Sequence, residues 1–117
     1  MYADALAKIA EVADAAGRQL ECFGTGHLLF TRIEDDYDRA LDVATESLSK
    51  RYEMDFRKAA QRYAGLGTPE QVAERIRDFH AVGVRHIVLD LVGPYDRRDE
   101  QIERFAGEVV PLLQDLR

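Results

Sequence analysis

The sequence predicts an α/β protein in which two main parallel strands are covered by helices. Three observations lead there. Val84 to Val92 reads Val-Arg-His-Ile-Val-Leu-Asp-Leu-Val, apolar at both parities, as strands covered on both faces of a parallel sheet are. Thr68-Pro69-Glu70-Gln71 carries the signals of a helix start, with Thr68 as N-cap, Pro69 at the first helical position and Gln71 placed to complete a capping box. Two strand-like segments separated by helical ones must run parallel if they share a sheet, through right-handed crossovers.

The elements follow in order. Tyr2, Leu6, Ile9, Val12, Ala13 and Ala16 form one stripe at helical spacing, and Gly17 offers a left-handed stop. No capping residue precedes Tyr2, as if the chain began inside a longer element. The stretch 19–33, with its centre at 22–30, reads as a strand. Gly24 and Gly26 share one side of it, where a missing side chain would admit another backbone. From Asp35 a helical stripe returns at Tyr37, Leu41, Ala44 and Leu48, with Asp35 and Asp36 suited to the positive helix end. A shorter helix is expected over 55–63, ended by Gly65 and Gly67. The helix opened by Thr68 turns Val72, Ile76 and Phe79 inward and stops at Gly83. After the strand to Val92 and the break at Gly93-Pro94, a last helix over about 99–116 is expected to bury Ile102, Phe105, Ala106, Val109 and Leu113. Two parallel strands have open edges and little core, so such a sheet is not expected to stand alone.

The 117 residues suit one domain, with no linker or repeat, and the 46% hydrophobic and 32% charged composition is that of a globular chain. A net charge of −6 and a pI near 5.0 disfavour nucleic acid as a partner, because a phosphate backbone is repelled on average. No apolar run approaches the ~18 residues of a membrane span, and no signal-peptide pattern opens the chain. The single cysteine, Cys22, cannot form an internal disulfide, and the cytoplasm is the expected compartment.

Gly67-Thr68-Pro69-Glu70-Gln71-Val72-Ala73-Glu74-Arg75-Ile76, followed by Gly83-Val84-Arg85-His86-Ile87-Val88-Leu89, closely resembles the C-terminal part of luciferase-like flavin-dependent monooxygenases. Phe23 to Arg39, a strand running into an acidic helix start, is similar to an earlier part of the same family, so the resemblance spans nearly the whole chain. It implies a partial (β/α)8 TIM barrel, C-terminal βα units only, since a complete barrel takes about 250 residues. It also implies FMN or the deazaflavin F420 as cofactor and a small organic substrate in the context of a full barrel.

Barrel enzymes place their sites at the C-terminal ends of the strands, here Thr31 and Arg32, then Asp90, Gly93, Pro94 and Tyr95. Arg32, Asp90 and Gly93 from these, together with His27, which the resemblance places in a strand region where the family often has a histidine near substrate or flavin, are the candidate wall of a substrate pocket. Asp90 stands in an apolar run where an unpaired carboxylate is costly, so it either lines the pocket mouth or is tied to an arginine or to backbone amides. His86, on the same strand face, is roughly 13 Å away and cannot reach it. His27 is either near substrate or a satisfied structural histidine, since a one-residue shift of register reverses its face. Arg32 could hold an anion or pair with the acids that follow it. Gly24-Thr25-Gly26 is not a dinucleotide fingerprint: the third glycine would fall at Leu29, and no helix opens behind it. Cys22 has no base nearby in sequence, and no group of residues has metal-ligand spacing.

Two functions remain open. One is an oxidoreductase of the luciferase-like kind, the flavin or F420 supplying the chemistry and the protein the orientation, with this chain inactive alone. The other is a non-catalytic assembly or remnant module. Either way, open edges and uncovered stripes lead us to expect a homodimer or higher oligomer.

Overall fold

The computed structural model describes residues 2–18 and 24–116. Cys22 and the first part of the predicted strand lie outside them. The elements are α1 (Tyr2–Ala15), β1 (Gly26–Ile33), α2 (Tyr37–Tyr52), α3 (Arg57–Tyr63), β2 (Gly65–Gly67), α4 (Pro69–Ala81), β3 (His86–Leu91) and α5 (Arg98–Arg104). A short 3₁₀ turn at Tyr95–Arg97 precedes α5; a π turn (Phe105–Val109) and a second 3₁₀ turn (Val110–Leu113) follow it.

Among the described residues the sheet is parallel, as expected, and has three strands in the order β2-β1-β3. Leu29 stands beside Leu89 and Thr31 beside Leu91 on one edge of β1, and Thr31 beside Gly65 on the other. β2 corrects the expectation that Gly65 and Gly67 merely end a helix. With no side chain at two of its three positions, β2 carries no strand propensity, and pairing with the end of β1 creates it.

Since β2 and β3 flank β1 on opposite sides, the two crossovers run in opposite directions, and right-handedness assigns their helices to opposite faces. Two cores result. Ala40, Leu41, Ala44 and Leu48 of α2 pack with Ala60, Leu66 and Val92 over the face bearing Phe30. Val72, Ala73 and Ile76 of α4 pack with Leu29, Ile33 and Val109 on the other. The first cover is incomplete. Leu28 and Val88, neighbours on the ladder, are 51% and 52% exposed, so β3 is not buried on both faces as its composition suggested.

The local signals of the helices are realised. Thr68 Oγ accepts from Gln71 N–H at 3.3 Å while Gln71 Oε1 accepts from Thr68 N–H at 3.0 Å, closing the capping box. Asp36 caps α2 by accepting from Arg39 N–H at 2.8 Å. Gly26 is not a site of close approach: a Cβ there would meet His86 O at an ordinary 3.7 Å, and one at Gly24 would meet nothing. The expected last helix is broken after Arg104. Pro111 has no N–H to donate and its ring crowds the carbonyl four residues back, and the helix widens so that Val110 N–H reaches Phe105 O instead. The phase of the buried face changes with it. Ile102 is exposed at 47% and Ala106 is exposed, whereas Gln101 and Val109 are buried.

Candidate functional site

At the C-terminal end of β3 a cleft of about 600 Å³ opens, lined among others by Val88, Asp90, Gly93, Tyr95, Arg98 and Arg51. Alternation along β3 turns Asp90 to the α2 side of the sheet. There it meets Arg51, in the last turn of α2, whose Nη1 donates to Oδ2 at 2.7 Å and Nη2 to Oδ1 at 3.5 Å. The hydrogen bond to Asp90 holds Arg51's pKa above its usual value. The Arg51 guanidinium also lies 5.9 Å from the centre of the Phe30 ring. Asp90 is thus tied to an arginine, the second of its two readings, and its side chain borders this cleft.

Gly93 forms the floor where the chain leaves the sheet. Its φ of +128° lies in the region that L side chains rarely adopt, and a Cβ there would stand 2.7 Å from Arg32 Nη1 and 3.1 Å from Val43. Behind it Arg32 is buried, donating through Nε and Nη2 to Glu34 Oε1 at 3.0 and 2.7 Å. The pairing of Arg32 with a following acid is thus real but internal, and the guanidinium supports the Gly93 turn from below. Tyr95 is 80% exposed at the rim, with the Arg98 guanidinium 5.6 Å from its ring centre.

The structure brings Asp90 and Gly93 into one cleft and sets Arg32 beneath it, but not His27. Odd-numbered residues of β1 face α4, and near the other end of the strand His27 stacks on Phe79 at 4.1 Å and meets Tyr2 edge-on at 6.0 Å. Burial there lowers its pKa. Thr31 is fully buried, its hydroxyl donating to Leu29 O at 3.0 Å.

Sequence reasoning missed Arg51, Arg98 and Gln101. Arg51 and Arg98 had no signal beyond being basic residues near helix ends. Gln101 held one, a polar residue beside the predicted apolar stripe.

A flavin or deazaflavin needs an anion anchor, a ring platform and a substrate wall together. Arg51 is neutralised by Asp90 and Arg32 by Glu34, which leaves Arg98 as the one cationic group lining the cleft without an ion-pair partner among the described residues. Among the described residues lining this cleft, one unpaired cation is less than the anchor such a group needs.

No protein-family model and no curated protein matches the chain. Among solved structures it is similar to the coenzyme F420-dependent tetrahydromethanopterin reductase from Methanopyrus kandleri, with 22% identity and a TM-score of 0.67. The match covers 97% of this chain and 42% of the reductase, so the chain spans less than half the length of that protein. At this identity the likeness concerns the fold alone, and nearly the whole chain has the fold of a part of that reductase.

Proposed function

We propose that this chain is a portion of an oxidoreductase fold of the luciferase-like kind, working in the cytoplasm with F420 or FMN, and that it furnishes one wall of the pocket for a small organic substrate. One observation carries the proposal: nearly the entire chain superposes on an F420-dependent reductase. The cleft at the end of β3 supplies the wall, with Asp90 and Arg51 as a fixed polar pair, Gly93 as a floor without side chain and Arg98 as the group able to meet an anion. Arg32 acts from behind by holding the Gly93 turn.

In this reading the chain alone is inert, because the wall lacks the anchor and platform that bring a cofactor into register. Consumption of reduced F420 or reduced FMN in the presence of the purified chain, followed by cofactor absorbance, is expected to run at the rate of buffer. Sustained turnover proportional to protein concentration would overturn the inert reading.

A second reading, a non-catalytic assembly module, is favoured by the exposed apolar pair Leu28 and Val88 in the middle of the sheet. A homodimer closing over this pair would satisfy both readings, since a two-fold contact pairs one patch with itself.

A further inference from the structure

A second cleft lies near the other end of β3, on the opposite face of the sheet from Asp90. It opens between α4, β3 and the π turn, holds about 300 Å³, and is walled by Ile76, Ile87, Leu89, Phe105 and Leu113, with His80 and Arg85 as the polar side chains of its lining. Two observations distinguish it. The Arg85 guanidinium is fixed: its Nη1 donates to His80 O at 2.8 Å and to Val84 O at 2.9 Å. Nε and Nη2 have no acceptor among the described residues, and no acid forms an ion pair with Arg85 there. The nearby Asp115 is already held by Arg77 at 2.8 and 3.1 Å, and Arg77 also donates to Leu112 O at 2.6 Å, tying the C-terminal segment to α4. The far wall is the π turn itself, a wide turn of the kind that recurs at functional sites.

A cleft with apolar walls and a preoriented, exposed guanidinium at its edge favours an apolar body that places a single negative charge at the rim, because a cation there would be repelled and a neutral polar group would gain less from the guanidinium. At about 30 Å³, the share of one water in the liquid, the cleft has room for roughly ten water-sized groups. We propose that this cleft binds a compact apolar monocarboxylate, its body against Ile87, Leu89 and Phe105 and its carboxylate on Arg85. The proposal concerns a different face and a different end of β3 from the candidate cofactor wall and does not depend on the oxidoreductase reading.

The probes are 2-naphthoate, which is fluorescent, and the neutral 2-naphthylmethanol. The wild-type chain is expected to bind 2-naphthoate saturably and more tightly than the alcohol. Arg85→Gln is expected to weaken 2-naphthoate by about tenfold or more, as loss of a charge-assisted contact does, and to leave the alcohol unchanged. Ile87→Trp, which fills the chamber, is expected to abolish binding of both. Should that variant fail to fold, methyl shifts in the wild-type chain on adding 2-naphthoate take its place, and they are expected at Ile87, Leu89 and Leu113. No saturable binding, equal affinity for acid and alcohol, indifference to Arg85→Gln, or shifts centred on Leu28 and Val88 would each overturn the proposal.

Discussion

The side chain of Gln101 grips both polar backbone atoms of Ile33: its Oε1 accepts from Ile33 N–H at 2.8 Å and its Nε2 donates to Ile33 O at 2.9 Å. The strand ladder between β1 and β3 ends where Val92 N–H donates to Thr31 O at 3.0 Å, and the Gln101 amide continues it for one more residue after β3 has turned away. Gln101 is 2% exposed, so no water competes for these groups.

Gln101→Ala is therefore expected to strand a buried donor and a buried acceptor. At about 1–3 kcal/mol for each unpaired group, the loss is about 2–4 kcal/mol once partial relaxation is allowed for. Urea unfolding monitored by circular dichroism reads it. A loss below about 0.5 kcal/mol would mean that the pairing adds nothing to the fold.

Gly93→Ala tests the turn at the cleft floor. The new Cβ would meet both a backbone that disfavours it and the Arg32 guanidinium at 2.7 Å. We expect a cost of about 1–3 kcal/mol from backbone strain, together with displacement of Arg32 from Glu34. Equal midpoints for wild type and variant would refute the constraint.

These two sites show what was and was not legible in the sequence. Helix caps are local chemistry, and Thr68 with Gln71 could be read directly. The parallel pairing of β1 with β3 was legible too, from the apolar run in β3. Strand order and β2 were not, since Gly65-Leu66-Gly67 becomes a strand only beside the end of β1. Asp90 announced itself by being a carboxylate among leucines. Its partner Arg51 stands 39 residues away and became visible only when α2 and β3 were packed together. The buried face of the last helix was misplaced because Pro111 acts backward on the turn before it.

His27 gives a pH dependence. Burial lowers its pKa from the usual 6.5, so the unfolded chain takes up a proton at a pH where the folded chain does not. Stability is therefore undiminished above pH 6.5 and falls as pH drops below it, levelling once the folded-state pKa has been passed. His27→Phe, which keeps a ring against Phe79, is expected to flatten the stability profile between pH 7 and 5 relative to wild type. An unchanged slope would assign the dependence to other groups.

Self-association through the uncovered sheet face predicts a mass in light scattering above the 13.3 kDa of one chain at micromolar concentration. The double substitution Leu28→Lys and Val88→Lys puts like charges on both copies and is expected to return the monomer mass without changing the circular dichroism spectrum. A wild-type monomer, or a variant that stays oligomeric, would exclude this face as the contact.

In the proposed reading this chain carries one wall of a cofactor site and not the site. Equilibrium titration of F420, and separately of FMN, into the purified chain with cofactor fluorescence as the readout tests it most directly. With Arg32 and Arg51 already held by Glu34 and Asp90, the anchor is missing, and each absent charge-assisted hydrogen bond is worth about 1.5–3 kcal/mol. The account predicts a shallow signal without saturation at low micromolar protein. Stoichiometric saturation by either cofactor in that range would contradict it.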